Sequence, residues 1–149
     1  MGMYYGDTLY KSTTIADCAR AFLKDLPGDV DILVSGGSSG CALASAMLAL
    51  SGDRVLKHCA FYSKGHESHR GRAKEYSGYR AYPAVDGDEG SACCVVDDLI
   101  DTGKTVRSLL SRIPSGCKRY VLVGEYCDFD NAEVVKLEDD TQCKVSKVW

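Results

Sequence analysis

Residues 95–105 read Val95-Val96-Asp97-Asp98-Leu99-Ile100-Asp101-Thr102-Gly103-Lys104-Thr105. The two valines extend Ala92-Cys93-Cys94 into a wholly apolar run, the pattern of a strand buried on both faces. Past the stretch, Val106, Leu109, Leu110 and Ile113 give one helical stripe, which ends at Pro114-Ser115-Gly116. The sequence thus predicts a strand over Ala92 to Val96, a turn over Asp97 to Thr105, and a helix. Three carboxylates, a glycine and two threonines fill that turn. An acidic first turn complements a helix dipole, but this explains one or two carboxylates, not two adjacent ones straight after a buried strand. Gly103-Lys104-Thr105 copies the end of a Walker A loop, yet its first glycine would fall at position 98, where Asp98 would repel phosphate. Separate roles fit better. Asp97 and Asp98 can accept hydrogen bonds from sugar hydroxyls or hold Mg²⁺ through water, while Thr102, Gly103, Lys104 and Thr105 offer N–H and hydroxyl donors to a phosphate. One loop would then hold a ribose 5-phosphate.

The same order of strand, turn and helix occurs earlier. Ile32-Leu33-Val34 is a short apolar run, followed by Ser35-Gly36-Gly37-Ser38-Ser39-Gly40 and an Ala/Leu-rich helix from Cys41 to Leu50. Small residues and exposed amides ahead of a helix suit an anion such as phosphate, and a tight turn with close packing would choose the same residues. The dinucleotide spacing G-x-G-x-x-G is absent. Ile15, Cys18, Ala19, Phe22, Leu23 and Leu26 form an apolar helical stripe, with Thr14 and Asp17 as a capping pair and Pro27-Gly28 as its stop. Val55 to Tyr62 reads as a second strand. Ser63 to Tyr82 is polar and glycine-bearing, a long mobile loop closing in an edge strand. Tyr120 to Val123, Val134 to Leu137 and Cys143 to Val145 supply further strands. No linker or repeat divides the chain, so residues 1–149 read as one α/β domain with a mostly parallel sheet flanked by helices. Ligands of such sheets bind beyond the carboxyl ends of the strands.

Composition narrows the function classes. With 18 basic and 21 acidic side chains the formal charge is −3, so there is no overall positive field for a nucleic-acid backbone. A local basic cluster exists: Lys64, His66, His69, Arg70, Arg72 and Lys74 lie within residues 64–74, either as a flexible loop closing over a site or as a solvated surface. His66-Glu67-Ser68-His69 is one residue short of the H-E-x-x-H zinc motif. The longest uncharged run, between Asp31 and Gly52, is too polar and glycine-rich to span a bilayer. The N-terminus lacks the basic and apolar regions of a signal peptide, and Gly6 stands where a myristoylation motif needs Ser or Thr, so a cytoplasmic location is expected. None of the eight cysteines forms a C-x-x-C pair and most sit among apolar residues, as reduced, buried thiols do.

Val95 to Thr105 resembles the 5-phosphoribosyl 1-diphosphate (PRPP) signature of type I phosphoribosyltransferases, in which two adjacent acids follow a hydrophobic strand. The Asp-Thr-Gly-Lys-Thr ending is similar to the hypoxanthine-guanine branch and the short length to small xanthine-guanine enzymes, while Lys64-Gly65-His66-Glu67-Ser68-His69 resembles the catalytic loop of orotate-type enzymes. The resemblance implies a type I fold with a small or reduced hood and Mg²⁺-dependent transfer of the phosphoribosyl group of PRPP to a nucleobase, a purine before a pyrimidine such as orotate. Pyrophosphate is released, and a homodimer is expected. Some relatives are non-catalytic regulators that sense PRPP or a nucleotide. By this resemblance Asp97 and Asp98 bind the ribose hydroxyls and Mg²⁺, and Thr102, Gly103, Lys104 and Thr105 wrap the 5-phosphate. Asp101 sits near the base as a proton acceptor. Ser35, Gly36, Gly37, Ser38, Ser39 and Gly40 take the pyrophosphate, and Lys64, His69 and Arg70 belong to the catalytic loop. Purine-salvage enzymes usually carry Lys or Arg at the position of Ser35, and Gln142 stands where a stacking aromatic is expected, leaving Tyr126, Phe129 or Trp149 for that part.

Overall fold

The computed structural model describes residues 12–52, 56, 58–64, 79–82, 91–100, 104–114, 116–126, 134–136 and 142–145. Helix α1 (Ser12–Asp25) leads into strand β1 (Ile32–Gly36), helix α2 (Ser38–Ala49), strands β2 (His58–Lys64) and β3 (Tyr79–Tyr82), and strand β4 (Ala92–Ile100). Helix α3 (Lys104–Leu110) and strands β5 (Lys118–Tyr126), β6 (Val134–Lys136) and β7 (Gln142–Val145) complete the order. The strands form one seven-stranded sheet, β3-β2-β1-β4-β5-β7-β6. Its inner strands β2, β1, β4, β5 and β7 are parallel, and β3 and β6 pair antiparallel at the two edges. This is the mostly parallel α/β sheet that the buried apolar runs predict.

Two cores result from strand alternation. Ile32, Val34, Cys93, Val95, Val121 and Val123 face one side, where Val106, Leu109, Leu110 and Ile113 cover them. Leu33, Cys94, Val96 and Leu122 face the other, under Phe22 and Leu26 of the α1 segment and Leu43 and Met47 of α2. A sheet covered on both faces needs apolar residues at both parities, which is why its strands read as unbroken hydrophobic runs. The seven described cysteines are free thiols, all buried except the half-buried Cys41. No helix among the described residues is long and apolar enough to cross a membrane.

Several boundaries differ from the sequence expectation. Thr14 does not begin a helix: α1 already runs from Ser12, and Asp17 is exposed and pairs with Arg20 at 3.5 Å. The helix does stop before Pro27-Gly28. Strand β2 (His58–Lys64) runs on past Tyr62, because its far end is held by the edge strand, Lys64 opposite Tyr79; the expected start at Val55 lies outside the described residues. Ser35 to Gly40 is not a six-residue turn. Ser35 and Gly36 finish β1, Ser38 starts α2, and Gly37 alone connects them, at φ 79°. Nor does the turn after Val96 begin at Asp97: β4 continues to Ile100 because β5 reaches Tyr126 and keeps pairing with it.

The chain order reverses between β1 and β4. From β1 the chain steps outward to β2, and from β4 it steps the opposite way to β5. Such a reversal leaves a crevice at the carboxyl ends of the two strands. Their pairing runs Ile32 with Cys93, Leu33 with Cys94 and Val34 with Val95, then stops although both strands continue. At the amino ends the strands are tied together. Asp31 N–H donates to the Ala92 carbonyl at 3.1 Å, Ala92 N–H donates to Asp31 Oδ1 at 3.1 Å, and Lys118 N–H donates to the Ser91 carbonyl at 3.0 Å.

Candidate functional site

Two of the stretches singled out by sequence meet at this crevice. On one side β1 ends at Gly36 and Gly37 turns the chain into α2. No side chain caps that helix, and its first turn, Ser38-Ser39-Gly40, carries no acid. The first N–H groups of a helix have no partner within it, and they lie at the positive end of its dipole. On the other side β4 carries Asp97 and Asp98, which are 8% and 7% exposed. Buried carboxylates are retained only where hydrogen bonds or opposite charge offset their desolvation. Asp98 N–H donates to Asp97 Oδ1 at 2.9 Å, so the first carboxylate is held by the backbone of the second.

Gly40 joins the two sides. A Cβ built on it would lie 3.2 Å from Asp97 Oδ1 and 3.3 Å from the Val96 carbonyl oxygen, so the first turn of α2 packs directly on the acidic end of β4. A side chain at position 40 would hold the helix off the carboxylate. Lys64 closes β2 at the same end of the sheet, two residues beyond the partner of Gly36. Thr105 is the second residue of α3 and is half-buried. Asp101, Thr102, Gly103, His69 and Arg70 lie outside the described residues, as do Phe129 and Trp149.

Ser35 faces inward. It is fully buried, and its hydroxyl donates to Cys41 Sγ at 3.4 Å, so the side chain at the position where purine-salvage enzymes usually carry a cation is turned to a thiol. Burial pushes the Cys41 thiol above its ordinary range and the Asp97 charge adds to this, against a lowering by the Ser35 hydrogen bond. Cys41 is therefore a protonated neighbour of the site rather than a thiolate nucleophile. Sequence reasoning placed Cys41 only as the first residue of a helix, and nothing in its spacing marks the contact with Ser35.

Gly124 was also missed, and there a signal existed: a glycine after Val121-Leu122-Val123 interrupts an apolar strand, the pattern of a close backbone approach. A Cβ on it would lie 2.7 Å from the Asp98 carbonyl oxygen.

Among the described residues no cluster of three or more His, Cys, Asp or Glu side chains is placed to hold a metal ion. Two hard carboxylates without a third ligand do not cage a cation. They do fit Mg²⁺, which keeps its waters and is commonly held by one or two carboxylates together with substrate phosphates.

No protein-family model matches the chain. It is similar to the transcriptional regulator GfcR 2 of Methanosarcina barkeri, with 32% identity over 114 residues. That match takes in 75% of this chain and 52% of the regulator, so the chain spans about half the length of its curated relative. Among solved structures, a purine phosphoribosyltransferase from Pyrococcus horikoshii superposes with a TM-score of 0.51 at 16% identity, over 78% of this chain and 82% of that one. An orotate phosphoribosyltransferase from Francisella tularensis gives 0.55 at 16% identity, over 90% and 59%. Sheet order, the parted strands β1 and β4, and these superpositions lead to one architecture: the chain has the type I phosphoribosyltransferase fold.

Proposed function

We propose that this chain binds PRPP with Mg²⁺ at the crevice between β1 and β4 and transfers its phosphoribosyl group to a nucleobase, a purine before a pyrimidine. The observation that carries the reading is the buried pair Asp97 and Asp98, packed through Gly40 against the uncapped first turn of α2. Carboxylates recognise hydroxyls and a helix N-terminus recognises phosphate, and PRPP presents both a few bonds apart.

In this reading Asp97 and Asp98 accept hydrogen bonds from the ribose 2- and 3-hydroxyls and orient the sugar. The first-turn N–H groups of Ser38, Ser39 and Gly40 donate to the diphosphate, and the Thr102 to Thr105 segment wraps the 5-phosphate. A nitrogen of the base forms the new bond at C1 as the bond from C1 to the diphosphate oxygen breaks, and its surplus proton passes to Asp101. Positive charge develops on the ribose ring as the diphosphate leaves. Donors fixed beforehand around the departing group are the main source of acceleration in such a step. Mg²⁺ supplies charge neutralisation on the diphosphate. The 64–74 segment, with Lys64, His69 and Arg70, shuts out water, which would otherwise compete with the base.

A second reading rests on the similarity to a transcriptional regulator: the same crevice senses PRPP or a nucleotide without turnover. One experiment separates the two. Pyrophosphate release is measured with PRPP and Mg²⁺ and with hypoxanthine, guanine, xanthine, adenine, orotate and uracil supplied singly, beside calorimetric binding of PRPP. Release with one base supports transfer and names the acceptor. Binding without release supports the sensor. Asp97→Asn with Asp98→Asn should abolish both signals, and wild-type binding in that double variant would sink the ribose assignment.

A further inference from the structure

We infer that Gly124 is a positioning residue for the acidic pair, acting through the backbone of Asp98. The inference rests on the proposed role of Asp97 and Asp98 for its effect on ligand, and on geometry alone for its effect on the carboxylates.

Pairing of β4 with β5 runs without interruption from Ala92 with Lys118 to Asp97 with Val123, and it resumes at Leu99 with Glu125. Asp98, opposite Gly124, is the one step skipped. At that step the Asp98 N–H is taken by Asp97 Oδ1, 2.9 Å away, and the Asp98 carbonyl oxygen approaches β5 to 2.7 Å from where a Gly124 Cβ would stand. That is closer than a carbon and an oxygen can sit, and the obstacle is backbone, which cannot rotate aside as a side chain would. Phe22 Cζ, 3.7 Å from the same point, closes the other side. Gly124 does not have the left-handed φ of Gly37 and Gly52, so its conformation is open to any residue. Space alone demands glycine there.

The consequence reaches the site in one step. A methyl group at position 124 moves the Asp98 carbonyl away from β5, and the shift passes through the Asp98 Cα to the preceding peptide, whose N–H holds Asp97 Oδ1. The bond that holds Asp97 Oδ1 is then lost or lengthened, and the carboxylate leaves its place beside Gly40. Displacing a positioning group by about an ångström costs on the order of a hundredfold in binding or rate.

The test compares wild type, Gly124→Ala and Gly28→Ala. Gly28 has nothing within 4 Å of its Cβ position and no left-handed φ, so it reports what a glycine-to-alanine change does without a clash. In the expected result, amide exchange at Asp98 is about tenfold faster or more in Gly124→Ala than global unfolding accounts for, and unchanged in Gly28→Ala. The KM for PRPP rises while the KM for the base stays put, a split that general loosening of the fold does not produce. Asp98 exchange unchanged in a folded Gly124→Ala protein overturns the inference. Should the wild type fail to bind PRPP, the functional proposal falls, and Asp98 exchange still decides the role of Gly124. Should Gly124→Ala fail to fold, scalar couplings across hydrogen bonds in the wild type decide: coupling from Asp98 N–H to the Asp97 carboxyl carbon supports the assignment, and coupling to a β5 carbonyl overturns it.

Discussion

The thiols show how much of this protein's chemistry is set by burial. Cys59 and Cys143 are enclosed by the sheet and helices, and burial pushes each from an ordinary 9.0 up to about 12. Below the ordinary value both folded and unfolded chains keep these protons, so the thiols do not affect stability there. Above it only the unfolded chain releases them, and the fold loses about 1.4 kcal/mol per pH unit for each thiol until the folded value is reached. Urea unfolding should therefore give a flat midpoint from about pH 7 to 8 and a falling one from about pH 9 upward. A midpoint that stays flat to about pH 11 would show that water reaches these sulfurs. At neutral pH the same burial leaves them unreactive, which agrees with a mechanism that calls for no covalent nucleophile.

Among the elements, α3 depends most on tertiary contacts. Seven residues are too few for an isolated helix in water, so Lys104–Leu110 persists because Val106, Leu109 and Leu110 are buried against the sheet. Leu109→Ala should cost about 2–5 kcal/mol, measured as a shift in urea midpoint. Leu50→Ala, at an exposed position, should change the midpoint by less than about 0.5 kcal/mol. Comparable losses in both would mean that α3 is not seated as described. The elements themselves were legible in sequence, because a doubly buried strand and an amphipathic helix leave opposite periodicities. Their ends were less so. Ser35 and Asp97 are polar and read as turn residues, yet both continue their strands, paired with Phe61 and Val123, while Ser35 bonds Cys41 and Asp97 bonds the next backbone N–H. Neither partner is visible in local composition. The acidic pair stands out in the sequence itself, whereas its close packing at Gly40 and Gly124 depends on how near two backbones pass.

Across the whole molecule the crevice is a property of topology. Any chain that reverses strand order between β1 and β4 opens a space there, and the residues that line it are then free to specialise. The amino ends of the same strands are bound by the reciprocal pair of Asp31 and Ala92, and the bond from Lys118 to Ser91 ties β5 to the start of β4. Hydrogen exchange should follow this asymmetry, with the amides of Leu33, Cys94 and Leu122 opening only on global unfolding and those of Gly36 and Gly37, at the end of β1, opening far more readily. Uniform protection along β1 and β4 would contradict it. The three-residue pairing of Val34 and its predecessors with β4 has a mechanical meaning. The two strands form a fork joined at one end: residues beyond Val34 and Val95 can vary without disturbing the three pairs beneath them, and the spacing of the prongs is fixed at Asp31 and Ala92, the opposite end from the opening.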